Sequence, residues 1–239
     1  MPPQGGVGYI VSWQIYNDAE IPADLMRDDV TVLQHDGTGL SRNRNNAIAH
    51  STADVIYIAD DDIELLPGIV ENIVKAFTKY PDTQVATFKA VSDKKISYPT
   101  TVTDLKKNLP KNYNISSWEI AFRRELFPKL KFNNAYGINS GIFEAGEDEL
   151  LHLDARKAGM VCRFFPYITI RHPHASTGTR KIKNPKVLHG MGAIIRNSYP
   201  VSFLLRIPLK ALRLHRSGQS RFGYSFFHLF QGAFKSYFY

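Results

Sequence analysis

The 239-residue chain has a single cysteine, Cys162. No disulfide can form within it, so the fold must rest on a hydrophobic core, in keeping with a compartment that keeps thiols reduced. Met1 is followed by Pro2, Pro3 and Gln4 rather than by a basic segment and an apolar run, so no secretory leader is read here. No apolar run approaches the ~20 residues that a membrane-spanning helix needs. Internal repeats and low-complexity segments are also missing. The most informative shortage is of acid. Residues 1–154 hold 15 Lys/Arg against 22 Asp/Glu, whereas residues 155–239 hold 15 Lys/Arg and no acid after Asp154. The net charge of +8 therefore hides an acidic part and a strongly basic one. The basic stretch suits a polyanion, such as nucleic acid, anionic lipid or a phosphorylated substrate, or is simply a solvated face.

What is present suits one ordinary domain with an appendage, or two small domains: 44% of residues are hydrophobic and 22% charged. Residues 7–13, 30–36, 54–60, 84–90 and 163–170 read as buried strands, rich in β-branched and aromatic side chains. Between them, Ser41 is placed to cap a helix running to His50, and Pro67 to open one bearing Ile69, Ile73 and Phe77 at helical spacing. A further helix is expected from Glu147 to Lys157, stopped by Gly159. Strands alternating with helices give an α/β domain with a largely parallel sheet. Residues 92–117 are polar and read as an irregular excursion. We expect a catalytic domain over 1–180 and a basic, aromatic-rich helical extension over 181–239. In that extension Arg206, Lys210 and Arg213 lie beside Leu205, Leu209 and Leu212, and nine aromatics follow between Phe222 and Tyr239. This pattern fits a segment lying in the head-group region of an anionic membrane, or packing on the domain or in a homodimer contact.

Three segments carry chemistry. Asp60, Asp61 and Asp62 end an apolar strand, where adjacent carboxylates repel one another unless a cation neutralises them. A hard divalent ion does so through oxygen ligands shared with substrate phosphates, and strand C-terminal edges are where ligands bind in α/β sheets. An acidic turn facing water is the plainer alternative. The segment GLSRNRNNAI at 39–48 brings Arg42 and Arg44 to a helix start, a phosphate-binding arrangement when not mere surface charge. Glu147 and Asp148 open the third helix, whose dipole favours ionised carboxylates suited to general-base work.

Taken in order, Arg44-Asn45, Asp60-Asp61-Asp62-Ile63 with Pro67-Gly68, FRREL at 122–126 and Gly146-Glu147-Asp148 resemble glycosyltransferase family 2 over about residues 7–175. The resemblance implies a GT-A fold, a Rossmann-like nucleotide-diphospho-sugar transferase, with a mostly inverting mechanism and a Mn2+ or Mg2+ cofactor. Asp62 and Asp60 then match the metal-binding acids, with Asp60 and Asp61 on the donor side; a wider family spacing would start the motif at Ala59. Arg44 matches the arginine near the pyrophosphate, with Arg42 beside it. Asp36 matches the acid that reads the base, and Ser12 and Trp13 occupy the end of the first strand, where Trp13 offers a ring to the base or to the core. Asp148 matches the catalytic base, oriented by Glu147. His172 resembles the histidine that supplies a further metal or diphosphate contact in some GT-A enzymes, and His174, Arg180 and Lys181 are placed for diphosphate contacts, the plainer alternative being surface groups. The first strand lacks the family's PTYN wording, and the second has His35-Asp36-Gly37 in place of DDGSxD.

The activity so implied is transfer of a sugar from a nucleoside-diphosphate donor, UDP favoured over GDP or dTDP, to a glycan or polyprenyl-diphosphate-linked acceptor in polysaccharide synthesis. The expected location is cytoplasmic and peripheral, on the inner face of the plasma membrane. The other readings are a nucleic-acid-binding protein using its basic tail, which the lack of any recognised binding module there opposes, and a nucleotidyltransferase. The latter carries its glycine-rich loop after the first strand, whereas Gly5-Gly6-Val7-Gly8 precedes it here.

Overall fold

The computed structural model describes residues 3–15, 17–92, 97–106, 109, 113, 115–127, 129–172 and 182–239. The chain forms two compact units: Met1–Gly37, Asn43–Lys131 and His152–Ala175 make the first, and Thr38–Arg42, Phe132–Leu151 and Ser176–Tyr239 the second. Residues 38–42 and 132–151 belong to the same unit as the C-terminal residues.

The first unit is α/β. Strands β1 (Tyr9–Gln14) and β2 (Val30–His35) pair in parallel, Tyr9 opposite Val30 and Gln14 opposite His35. A second, six-stranded sheet has the order β3 (Val55–Tyr57), β7 (Ile120–Arg123), β5 (Val85–Ser92), β8 (Cys162–His172), β4 (Glu64–Leu65), with β6 (Thr103–Asp104) also on β8. β5 and β8 are parallel, and β7 is antiparallel to both β3 and β5. Thus β3, β5 and β8, all legible as apolar runs, share one direction. The opposing strands β4, β6 and β7 are short; two-residue pairings such as β4 and β6 are too brief to show a period in sequence.

Helix α2 (Ile69–Lys79) covers this sheet because its apolar residues recur at helical spacing: Ile69 and Phe77 are buried, and Ala76 and Phe77 pack on Ala86, Phe88, Ala121 and Phe165. The Phe88 and Phe165 rings stack at 5.9 Å. Arg163 of β8 binds Asp82, Thr83 and Asp104 at 2.7–2.8 Å, tying β6 and the turn before β5 to the sheet. Cys162 is buried and free, and burial pushes its thiol up to about 12, so it is inert at neutral pH.

Helix α1 (Leu40–His50) starts one residue before the expected cap. Ser41 lies inside the helix, and its hydroxyl donates to the Tyr136 carbonyl at 2.7 Å instead of accepting from the helix backbone. Helix α3 (Glu147–Lys157) ends as the sequence indicates. Gly159 adopts φ +76°, its N–H reaches Arg156 O, and Met160 N–H reaches Ala155 O, the paired bonds of a left-handed C-terminal cap.

The second unit is helical beyond residue 184. Helix α4 (Pro185–Ser198) begins at Asn184, whose side chain accepts from Lys186 N–H, with Pro185 in the first turn. Helices α5 (Phe203–Arg216) and α6 (Phe222–Lys235) follow, and Leu188, Ile207, Ala211, Leu214 and Leu229 form their shared core. No helix among the described residues is long and apolar enough to cross a membrane.

Candidate active site

The acid triplet stands where β3 leaves the sheet. Ile58 N–H still donates to Ile120 O, and Asp60–Asp62 follow at the strand's C-terminal edge. Asp60 is not left to repel its neighbours. Arg44 of α1, itself buried, donates through Nη2 to Asp60 Oδ1 at 2.7 Å and to Ser117 Oγ at 2.7 Å. Ser117 Oγ lies 3.4 Å from Asp60 Oδ2. A desolvated guanidinium requires such a partner, so Arg44 and Asp60 hold each other in place.

Asp61 and Asp62 remain exposed. Asp62 Oδ2 lies 3.7 Å from Nε2 of His172, a buried residue at the end of β8. The His172 imidazole rests against the Trp118 ring, with centroids 4.6 Å apart. The turn carrying Ser117 and Trp118 is fixed from below by Tyr57, whose hydroxyl donates to the Trp118 carbonyl and lies 3.2 Å from Thr169 Oγ1. Burial pushes the Tyr57 phenol well above its ordinary range, so it stays a neutral donor.

No group of three His, Cys, Asp or Glu side chains is gathered for a metal ion among the described residues. The donors at hand nevertheless fit Mg2+ or Mn2+. These ions take one or two protein ligands and draw the remainder from water and substrate phosphates. A carboxylate oxygen and an imidazole nitrogen 3.7 Å apart can share one such ion.

Among the residues expected to meet a nucleoside, Ser12 Oγ accepts from Asn46 Nδ2 at 2.9 Å, joining β1 to α1, and Trp13 is half-buried on the same strand. Asp36 is exposed just beyond β2. His35 accepts from Gly37 N–H through Nδ1 at 3.2 Å, which leaves Nε2 to donate to Asn43 Oδ1 at 3.1 Å. Arg42 is exposed on α1, in the second unit. His174, Arg180 and Lys181 lie outside the described residues.

The second unit holds the other acids. Glu147, Asp148 and Glu149 form the first turn of α3, which Leu150 N–H opens by bonding to Gly146 O. Gly146 has φ +93°, and a Cβ there would meet Ile194 Cγ1 at 2.5 Å, so no larger residue can start the helix. Glu147 is buried; a Cβ on Gly137 would stand 3.5 Å from its carboxyl carbon. Leu40 N–H bonds to Ile138 O, so the loop around Gly137 and the start of α1 enclose Glu147.

Asp148 is half-buried. Glu149 keeps an exposed surface while its carboxyl is crowded by protein. That crowding and the Asp148 charge push it up to about 7, opposed by Lys210 of α5. Lys210 is in turn lowered by burial and by Arg213, with Glu149 opposing. Lys210 thus stands within electrostatic reach of the acid turn, although sequence spacing grouped it with the basic face of the tail.

The structure therefore brings Arg44, Asp60, Ser117, Asp62 and His172 together, and Glu147 with Gly137 and the start of α1. Ser117, Trp118, Gly137 and Lys210 carry no motif of their own. Only their positions in the fold reveal them.

The family model described as glycosyl transferase family 2 matches residues 12–143. No curated protein matches the chain. The fold is similar to that of S. aureus TarS 1-349, with TM-score 0.53, 12% identity, and coverage of 87% of this chain and 74% of that one. The same TarS fragment in complex with UDP-GlcNAc gives a TM-score of 0.54 at 11% identity, covering 87% and 75%. Against S. aureus TarS without that limit the TM-score is 0.51 at 14% identity, and this chain spans 33% of its length. At these identities the likeness speaks for the fold, a GT-A fold. The motifs, the match across more than half of the chain and the architecture agree: the chain belongs to glycosyl transferase family 2 and is a glycosyltransferase.

Proposed function

We propose that the protein transfers a sugar from a UDP-sugar to a hydroxyl of a glycan or polyprenyl-diphosphate-linked acceptor, with inversion at the anomeric carbon, in polysaccharide assembly. The observation that carries the reading is the pairing of two differently prepared acids: Asp60, locked by Arg44 and Ser117, and Asp62, exposed beside His172. The UDP and UDP-GlcNAc complexes of TarS, which has the same fold, favour UDP as the leaving group.

Asp62 and His172 would hold Mg2+ or Mn2+, which when bound supplies positive charge for the donor diphosphate. Asp60, its orientation fixed, accepts from the donor ribose. Asp148 is the general base: it is only half-buried and lies in the first turn of α3, whereas Glu147 is buried and orients the turn. Asp148 takes the proton of the acceptor hydroxyl. The hydroxyl oxygen forms the new bond to the anomeric carbon as the bond to the β-phosphate oxygen breaks, and UDP leaves with that electron pair.

Calorimetric titration with UDP and GDP, each with and without Mn2+, tests the donor half. UDP should bind with a strong Mn2+ dependence that Asp62→Ala removes. Asp148→Asn should bind UDP as the wild type does and turn over UDP-GlcNAc about 10²–10⁴-fold more slowly. Binding of neither nucleotide, or undiminished turnover in Asp148→Asn, overturns the assignment.

A further inference from the structure

Helix α6 is built inside out. Its buried positions are Ser225, Leu229, Gly232 and Ala233, mostly small residues, while Phe222, Phe226, Phe227, Phe230 and Phe234 are exposed. The inward face has to be small: a Cβ on Gly232 would lie 2.1 Å from His189 O, and one on Gly192 of α4 would lie 1.9 Å from Leu229 O. Close contact between α4 and α6 therefore explains the small residues and turns the phenylalanines outward, although Phe234 also meets the buried Phe203 ring at 5.8 Å. Phe227 keeps 55% of its surface open. The preceding helix adds Leu204, Leu205 and Leu209, with Leu205 72% open. Apolar exposure on this scale along two successive helices marks a contact surface rather than ordinary surface scatter.

We propose that this face of α5 and α6 docks on an anionic lipid surface, the rings and leucines entering the head-group region. Charge selects this occupant. Arg206, Arg213 and Arg216 are exposed on α5 and Arg221 in the connection to α6, and no acid occurs anywhere after Asp154. A second copy would set this acid-free surface against itself, whereas anionic head groups neutralise it. Nucleic acid is less well served. Phe222, Phe226 and Phe230 stack on one another at 5.9–6.0 Å with interplanar angles of 14° and 27°, so their faces are turned to their neighbours and not to incoming bases. Arg206 lies over the Tyr199 ring at 3.6 Å, pairing an aromatic with a cation as interfacial residues do. With no helix able to span a bilayer among the described residues, the contact is peripheral.

The test is flotation of the full chain with phosphatidylcholine vesicles, with and without phosphatidylglycerol, at low and high salt, alongside sedimentation velocity and RNA-oligonucleotide binding. The chain should float with the anionic vesicles, less so at high salt. The triple variant Phe222→Ser, Phe226→Ser, Phe230→Ser should lose about tenfold or more in partitioning at unchanged helicity. Arg216→Gln with Arg221→Gln should reduce only the anionic-lipid component. No flotation, or flotation unchanged by the serine variant, overturns the proposal. So does a dimer, or RNA binding without flotation, that the serine variant abolishes.

Discussion

In the first unit Phe88, Phe122, Phe164 and Phe165 are fully buried on the strands of the six-stranded sheet. In α6, four phenylalanines at i, i+4, i+8 and i+12 face outward while Ser225, Gly232 and Ala233 face in. The same residue type serves opposite ends because the neighbours differ. A helix packed on a sheet leaves a gap that rings fill, as Phe77 and Phe88 do beneath α2. Two helices meeting at glycines leave none, and their separation follows the side chains at the contact. Phenylalanine content alone therefore says that a surface will be covered, not by what.

That contrast can be broken at either end. Phe122→Ala should destabilise the protein by about 3–5 kcal/mol in urea unfolding, the usual consequence of emptying a packed core. Gly192→Val should lower stability by about 3 kcal/mol, read as early loss of helicity, because its side chain meets backbone that cannot yield. A pH titration separates the units further. His152 of α3 is buried and pushed down to about 3 by burial, with the Arg156 charge adding to it. The native imidazole thus stays neutral where the unfolded one gains a proton. Stability is fully present above about pH 6.5 and falls as pH drops towards 3, by about 2 kcal/mol between pH 7 and pH 5. His152→Leu should flatten that dependence in thermal melts. At the small end, Phe230→Ser should change stability by less than about 0.5 kcal/mol, since the ring is already exposed. A cost near that of Phe122→Ala would mean that the outward face of α6 packs on the protein after all.

Much of the first unit was legible. Strands β1, β2, β3, β5 and β8 are apolar runs, and α3 is bounded by its acids and by Gly159. The two-residue strands β4 and β6 were not, since pairing that short depends on what the sheet offers. Helix α4 lies within the stretch expected to be helical, but its start at Asn184-Pro185 was not singled out. In the site, the order of Arg44, the acid triplet and Glu147-Asp148 was enough to name the family. The partnership of Arg44 with Asp60 through Ser117 was not visible, because these residues stand 16 and 73 positions from Arg44.

The sequence by itself determined the chemistry on offer: carboxylates at a strand end, an acid pair at a helix start, and a tail in which cations and aromatics meet no acid. Local rules suffice for that, since period, capping and charge are properties of neighbouring residues. Only the tertiary structure decided how those groups are used. It gave Asp60 to Arg44 and set Asp62 beside His172, because such pairs join residues far apart in the chain. It turned the phenylalanines of α6 outward, because backbone contact at Gly192 and Gly232 admits nothing larger than a small side chain.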